Sequence, residues 1–352
     1  MMKYLRRGIL VLLSLALGLI IGELGARFLL YRLSEPEQNL AWSRIEQGLV
    51  DSEVPDPATL GDMIRVSEHR RIIYQLKPDM STHFQGVLVE TNKMGFRGDD
   101  FEDGGGYLIV GLGDSHMFGW GVPLESTYLA RIGDSLSRQL NTKVEVLNTA
   151  VPGYNTCMEV ATLEQRLLEY EPDLVILGVV GNDLSLPRFL SKFDDLWSFE
   201  RSYLVQLFSN STGGPTEFPP RARAGRTLDR LGSDPNWVHA RYRDLVGAEA
   251  FSRSLERLAE LQARHGFQLL VIHRNTSLDE DTVLDNLGIA RYDIVPDLVD
   301  YLQARGSSYS EIRDSELVLS PQDTHPSETQ HLLISEAVTK HLLESGLVLK
   351  KR

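Results

Sequence analysis

The sequence contains very little cysteine and no excess of positive charge. Cys157 is the single cysteine among 352 residues, which excludes an internal disulfide framework and a zinc site built on several thiolates. One thiol does not fix the redox compartment. Basic side chains number 36 against 49 acidic ones, for a net charge of −13, and no basic stripe interleaved with aromatic residues occurs. Nucleic acid is therefore not an expected partner.

The length leaves the number of domains open. A chain of 352 residues with 42% hydrophobic side chains can bury a substantial core, either as two domains or as one enlarged α/β domain with N-terminal additions. We predict an anchor over residues 1–33, a stalk and extension over 34–101, and a core domain over 102–348. The core domain is expected to carry an insertion at about 184–247.

Charged side chains are also missing from Gly8–Gly22, close to the N-terminus. This uncharged run is shorter than the roughly 20 residues that a membrane-spanning helix needs. A helical pattern continues without proline to Tyr31, and the run becomes long enough if Glu23 and Arg27, four residues apart on one helix face, pair or reach toward the interface. The sequence therefore predicts a transmembrane helix.

By its length, this segment fits either an uncleaved anchor or a cleaved signal peptide. No good small-residue cleavage site follows it, which favours the anchor. Lys3, Arg6 and Arg7 precede the span and keep the N-terminus in the cytoplasm, although Arg27 and Arg32 weaken this asymmetry. The rest of the chain is then expected outside the cytoplasmic membrane, in a periplasmic or extracellular position.

Ser115 is expected at the carboxyl end of the first core strand. Tyr107–Leu112 is a short apolar run rich in strand formers, and Gly111 and Gly113 allow a sharp turn at its end. Ligands of an open α/β sheet bind outside the carboxyl ends of its strands, so Ser115 is a candidate nucleophile. Taken alone, the Gly-Asp-Ser sequence around Asp114 is more often an ordinary turn.

Helix and strand patterns alternate after this turn. The predicted strands are Val144–Leu147, Leu174–Val180, Phe267–Ile272 and Leu317–Leu319. Predicted helices have apolar residues at helical spacing in 129–140, 160–167, 251–261 and 327–343. Gly266 is expected to end the third helix, and Ser327 and Gln330 to form a capping box at the start of the fourth. The order predicts a flavodoxin-like three-layer α/β/α sandwich with a central parallel sheet, plus the N-terminal transmembrane helix.

The segment from about Leu184 to Gly247 interrupts this alternation. It carries an aromatic cluster and then a loop over 213–226 that is rich in Gly, Pro and Arg. The aromatic residues are Phe189, Phe193, Trp197, Phe199, Tyr203 and Phe208. Because the segment follows the carboxyl end of a strand, it is either a lid over the site or a helical excursion with its own small core.

Polar segments follow the later strands as well. Gly153 lies in NTAVPGYN after the second strand, Asn182 lies in GND after the third, and Asp323 and His325 lie in DTHP after the last. All three segments fall on the same rim of the predicted sheet as Ser115. Two neighbouring residues are expected outside the chemistry. They are Arg97, as a solvated or structural arginine, and His116, as a packing or rim residue.

In their order, Ser115, Gly153, Asn182 and His325 resemble the four blocks of the SGNH hydrolases, the GDSL-type esterase superfamily. The resemblance covers about residues 107–343, apart from the insertion. The sequences GDSHMFGWGV and GFRGDDF are also similar to bacterial membrane-anchored members, which supports the anchor and an extracytoplasmic domain.

The resemblance implies a role for each of these residues. Ser115 would be the nucleophile, His325 the general base, and Asp323 the acid that orients the imidazole. An oxyanion hole would be formed by the backbone N–H groups of Ser115 and Gly153 and by the side-chain amide of Asn182. These residue types suit acyl transfer, because an imidazole must remove the serine proton and uncharged donors must face the developing negative charge. No metal or organic cofactor is expected.

The position of the acid departs from the family pattern. The family usually spaces acid and base as D-x-x-H, whereas QDTH has Gln322 at the usual position and Asp323 only two residues before His325. Two arrangements are consistent with this spacing. Either Asp323 orients the imidazole, or Ser115 and His325 act as a dyad in which a backbone carbonyl holds the ring.

Three functions follow from this sequence. The leading one is an ester hydrolase outside the membrane that acts on an O-acylated glycan, lipid or small ester through an acyl-enzyme. The second is an O-acyltransferase that moves acyl groups onto a cell-envelope polysaccharide by the same chemistry. It differs from the hydrolase in whether water can reach the acyl-enzyme. The third is a non-catalytic binding module of the envelope, which would need the serine or the histidine to be missing or misplaced. Protein partners are not indicated.

Overall fold

The computed structural model of the chain describes most of its residues. They are 2–33, 42, 44–47, 53–101, 106–187, 189–190, 202–205, 233–235, 238, 240–274 and 278–348. The chain divides into two compact units, Met1–Ser43 with Pro187–Asp244 and Arg44–Leu186 with Leu245–Arg352. The domain boundaries at residues 33 and 101 stay predictions.

Helix α1, Met2–Leu33, is the largest element of the first unit. Its segment Arg6–Leu29 is long and apolar enough to cross a membrane. Glu23 and Arg27 pair as predicted, with 3.0 Å between Arg27 Nε and Glu23 Oε1. The Glu23 carboxylate also accepts hydrogen bonds from the segment 202–204 of the insertion.

Much of the predicted stalk and of the insertion lies outside the described residues. Within the first unit, Phe189 and Tyr203 of the aromatic cluster are described, and both are buried. The ring of Phe189 contacts that of Trp42, with 5.9 Å between centroids. The lid stays a prediction.

The second unit contains a parallel sheet and two small antiparallel pairs. The antiparallel pairs are β1 (Ile64–Val66) with β2 (Tyr74–Leu76), and β3 (Ser81–Phe84) with β4 (Val87–Glu90). The parallel strands are β5 (Tyr107–Leu112), β6 (Val144–Asn148), β7 (Leu174–Val179), β8 (Gln268–His273) and β9 (Arg291–Asp293). In the described part of the chain, the parallel strands lie in the order β6-β5-β7-β8-β9. This is the 2-1-3-4-5 order of flavodoxin-like folds, whose ligand crevice lies between the first and third strands.

Helices cover both faces of this sheet. The helices that the structure describes in the second unit are α2 (Leu60–Met63), α3 (Ser115–Phe118), α4 (Tyr128–Leu140), α5 (Thr156–Arg166), α6 (Gly247–His265), α7 (Leu278–Leu287), α8 (Val295–Gln303) and α9 (Glu328–Glu344). Alternate residues of β5, such as Leu108 and Val110, belong to the buried cluster with α5, α6 and α7. On the other face, a side chain at Gly111 would lie 2.2 Å from Leu129 of α4, so the glycine permits close packing of that helix. The predicted three-layer sandwich is confirmed.

Two details of the predicted sheet were wrong or incomplete. Leu317–Leu319 is not a strand of the sheet. Val318 instead forms an isolated antiparallel bridge with Pro326, because the chain turns back on itself between them. The sheet continues through β9, which was missed because its sequence, Arg-Tyr-Asp, has no apolar pattern.

The predicted capping box at the start of α9 forms only in part. Ser327 caps the helix through a hydrogen bond from the Gln330 N–H to its side chain. The Gln330 side chain does not return to Ser327. It is buried and, in the amide orientation that satisfies its neighbours, it donates to Leu317 O and accepts from Arg274. Gly266 ends α6 as predicted.

Candidate active site

Ser115 begins the short helix α3, and only Gly113 and Asp114 separate it from the end of β5. Asp114 is the N-cap residue, and its Oδ1 accepts a hydrogen bond of 2.9 Å from the His116 N–H. The chain then turns, with Trp120 N–H donating to Ser115 O at 3.1 Å. This geometry holds the buried Ser115 side chain at the carboxyl edge of the sheet, where the crevice was expected.

Arg97 supports the loop that follows α3. Its side chain is 3% exposed, and its Nη atoms donate to the carbonyl oxygens of Phe118, Gly119 and Val122. Burial lowers the pKa of Arg97 to about 10, so the guanidinium remains charged at neutral pH. The expected structural role of this arginine is confirmed.

The side chains of Ser115, His325 and Asp323 form a continuous hydrogen-bonded row. His325 Nε2 lies 3.0 Å from Ser115 Oγ, and His325 Nδ1 lies 2.5 Å from Asp323 Oδ1. Because a carboxylate only accepts hydrogen bonds, the proton of the neutral ring belongs on Nδ1, and Nε2 is then free to accept from the serine hydroxyl. Such a row can move a proton from the serine to the imidazole.

Asp323 is held as a carboxylate by several donors. Its Oδ1 also accepts from the backbone N–H of His325 at 3.1 Å, and its Oδ2 accepts from Trp120 Nε1 at 3.1 Å. Partial burial raises the pKa of Asp323, but the hydrogen bonds from His325 and Trp120 outweigh it, so the pKa lies below its usual range. The group facing His325 Nδ1 is therefore ionised at neutral pH.

Two aromatic rings lie beside the imidazole of His325. The indole of Trp120 stacks on it, with 4.7 Å between centroids and 13° between planes. The ring of His116 lies 5.5 Å away. Burial lowers the pKa of His116 to about 4, although the negative charge of Asp114 acts to raise it. The His116 ring is therefore neutral at neutral pH and adds no positive charge beside His325.

Asn182 and Gly153 lie on the loops after β7 and β6. Asn182 Nδ2 donates to Asp114 Oδ2 at 3.1 Å, and Ser115 Oγ lies 3.3 Å from the same oxygen. An amide nitrogen carries two hydrogens, so one remains available on Asn182. Gly153 has a φ of +83°, which glycine adopts without strain, and Val151 N–H of its loop donates to Gly113 O at 3.1 Å. No hydrogen bond joins Gly153 to Ser115 among the described residues.

The structure adds one residue to the site that the sequence did not indicate. Trp120 contacts both His325 and Asp323, yet it lies 203 positions before Asp323 in the chain. The only local signal was an aromatic residue between two glycines shortly after the candidate nucleophile.

The middle of the chain matches a known protein family. Residues 112–276 match the model of the GDSL-like lipase/acylhydrolase family, a stretch that includes Ser115, Gly153 and Asn182 and ends before Asp323 and His325. A search of curated proteins gave no match.

Solved structures similar to the chain include several esterases. A lipolytic protein of the G-D-S-L family from Desulfitobacterium hafniense DCB-2 is 14% identical, with 66% of this chain and 98% of that chain covered and a TM-score of 0.38. TesA is 14% identical, with coverages of 68% and 99% and a TM-score of 0.41. The acetyl xylan esterase AlAXEase is 13% identical, with coverages of 67% and 99% and a TM-score of 0.41.

The glycine-flanked serine turn, the parallel sheet that carries it and the family match lead to one assignment. The chain carries a GDSL-like lipase/acylhydrolase domain over residues 112–276, and this domain supports an ester-hydrolysing enzyme.

Proposed function

We propose that the chain is a membrane-anchored serine esterase in which Ser115, His325 and Asp323 form the catalytic triad. The observation that carries this proposal is the hydrogen-bonded row of 3.0 Å and 2.5 Å through the two ring nitrogens of His325. The row favours Asp323, rather than a backbone carbonyl, as the group that orients the imidazole.

The reaction follows from the proton positions in this row. Ser115 Oγ attacks the acyl carbonyl carbon while its proton passes to His325 Nε2, and Asp323 stabilises the resulting imidazolium. The imidazolium then returns the proton to the alcohol oxygen as the bond from the acyl carbon to that oxygen breaks. Water then attacks the acyl-enzyme and gives a proton to His325. His325 returns this proton to Ser115 Oγ as the bond from the acyl carbon to Oγ breaks, which releases the carboxylic acid and regenerates Ser115.

The oxyanion would be stabilised by donors from three different loops. They are the backbone N–H groups of Ser115 and Gly153 and the second amide hydrogen of Asn182, whose first hydrogen is occupied by Asp114. The fixed contact with Asp114 orients the amide before substrate binds, and such preorganised donors contribute strongly to acyl transfer.

A Ser115→Ala variant tests the mechanism. It removes the attacking oxygen and little buried area, so we expect the fold to remain and ester hydrolysis to disappear. Short and long acyl esters, with and without an acetylated polysaccharide, form the substrate panel, and circular dichroism checks the fold. Activity near the parent level with unchanged circular dichroism would disprove the serine mechanism.

The proposed substrate is an O-acylated glycan, lipid or small ester outside the cytoplasmic membrane. The same panel, supplied with an acylated donor and a polysaccharide acceptor, distinguishes hydrolysis from acyl transfer.

The length and composition of α1 support an anchor, with the catalytic domain in the periplasm or outside the cell. Full-length protein should fractionate with membranes, and protease added outside the cytoplasmic membrane should degrade the chain after about residue 34. A mature N-terminus near Arg27 would show a cleaved signal instead.

A further inference from the structure

We infer that Trp120 is a positioning residue that makes the shortened Asp-x-His spacing workable, by holding the Asp323 carboxylate and the His325 ring in one arrangement. This inference rests on the proposed triad and deepens it. Three observations carry it: a hydrogen bond to Asp323, a stacked contact with His325, and a backbone that fixes Trp120 itself.

The hydrogen bonds divide between the two oxygens of Asp323. Oδ1 accepts both the backbone N–H and the ring Nδ1–H of His325, at 3.1 Å and 2.5 Å. A carboxylate bound through one oxygen alone can still rotate about that contact. Trp120 Nε1 donates to Oδ2 at 3.1 Å, and this second bond fixes the carboxylate plane.

The indole also limits how the imidazole can turn. With 13° between the planes and 4.7 Å between centroids, rotation of His325 about its side chain would lose the stacked contact. An imidazolium forms when His325 takes the serine proton, and a cation over an aromatic face is attracted to it. The stack therefore favours both the orientation and the charged form that the reaction requires.

Trp120 is itself held firmly in place. Gly119 and Gly121 on either side of it have φ values of +86° and +69°, and a side chain at Gly121 would lie 2.7 Å from Leu319. On its other side, Phe84 at the end of β3 makes an edge contact, with 4.8 Å between centroids and 80° between planes. Phe84 lies outside the matched family segment, so the N-terminal extension contributes to the position of the site.

Two substitutions separate the contributions of the indole. Trp120→Phe keeps an aromatic ring and loses the N–H donor, and we expect kcat to fall about 10-fold, the effect of losing one hydrogen bond to a charged group. Trp120→Leu loses both contacts, and we expect a fall of about 100-fold with KM within about 2-fold of the parent, because the indole acts through the triad. The low-field proton resonance of His325 Nδ1–H should move upfield in both variants.

Tyr107→Phe is the matched control. Tyr107 lies at the opposite end of β5, its hydroxyl is buried without a hydrogen-bond partner among the described residues, and we expect its loss to leave both kcat and the resonance unchanged. Parent-like kcat and resonance in both Trp120 variants would overturn the inference, as would a change confined to KM. Activity in Ser115→Ala would instead overturn the proposed function, so the two failures are distinguishable.

Discussion

Asp323 Oδ1 and His325 Nδ1 lie 2.5 Å apart although only Thr324 separates the two residues in the chain. The backbone N–H groups of Asp323 and Ser320 each bond to the other residue's carbonyl oxygen at 3.0 Å, and this tight turn brings the carboxylate back toward the ring. The acid is therefore within reach at a spacing one residue shorter than the family pattern.

The first prediction concerns this pair. Asp323→Asn keeps the size of the side chain but offers the imidazole an amide, which favours the wrong tautomer. In serine proteases the equivalent change costs about 10⁴ in kcat, and we expect a loss of similar size here. Steady-state hydrolysis of the best ester of the panel measures it. A fall in kcat below about tenfold, only ~1.4 kcal/mol of barrier, would reject Asp323 as the orienting acid.

The second prediction concerns the amide of Asn182. Asn182→Ala removes the donor held by Asp114, and we expect kcat to fall by roughly 10²–10³, the usual size for one oxyanion donor. Asn286→Ala, on an exposed position of α7, is the matched control and should keep parental kinetics. If only KM rises in Asn182→Ala, the residue is a substrate contact and not part of the oxyanion hole.

The parts of the fold that could be predicted are those in which local pattern and burial agree. β5 and β7 are apolar throughout because both faces are covered, so their sequences identify them directly. β9 lies at the sheet edge, and Arg291, Tyr292 and Asp293 are not fully buried, so no apolar run marked the strand. The apolar run Leu317–Leu319 suggested a strand that the structure does not contain. Its residues are buried because a turn packs them on the core, and not because they belong to the sheet.

The candidate site shows the same division between local and long-range information. Ser115, Asn182 and His325 could be proposed because each follows a predicted element in a short polar segment. Trp120 could not, because its role depends on contact with Asp323 across 203 positions, and no local pattern encodes that pairing. The separate roles of the two oxygens of Asp323 likewise depend on contacts with different parts of the chain, which no local pattern shows.

The third prediction concerns pH and the buried His331 of α9. Its Nδ1 accepts the Tyr128 N–H at 3.0 Å, and burial, with His116, Arg97 and Arg131 nearby, lowers its pKa to about 3. The unfolded imidazole titrates near 6.5, so between these values the unfolded chain binds a proton that the native one does not. The free energy of unfolding should therefore fall as pH decreases through this window, by up to about 1.4 kcal/mol per pH unit.

His331→Asn tests this effect, because it keeps an acceptor for the Tyr128 N–H and removes the titrating group. Near neutral pH it should be less stable than the parent by about 1–2 kcal/mol, because the stack of the His331 ring on Tyr128, with 5.3 Å between centroids, and some buried volume are lost. Its stability should nevertheless decline less steeply on acidification, as followed by urea denaturation at a series of pH values. His265→Asn, at an exposed histidine that ends α6, should keep the parental slope. Equal slopes for parent and His331→Asn would contradict the assignment.

The fourth prediction concerns Glu23, which joins α1 to a segment of the insertion within the first unit. Its carboxylate accepts the Tyr203 and Leu204 N–H groups at 2.9 Å and 3.0 Å, and Arg27 pairs with it at 3.0 Å. Glu23→Ala leaves both amides without this acceptor, and a hydrogen bond to a charged group stabilises by about 1.5–3 kcal/mol. Hydrogen exchange at residues 203 and 204 in the full-length protein should then accelerate by about 10-fold or more, because exchange reports local opening.

Glu249→Ala is the matched control, since Glu249 also pairs with an arginine four residues on but is solvent-exposed, and it should leave those amides unchanged. Unchanged exchange in Glu23→Ala would show that the contact of Arg27 with the Tyr203 ring, at 4.4 Å, suffices to hold the segment on α1.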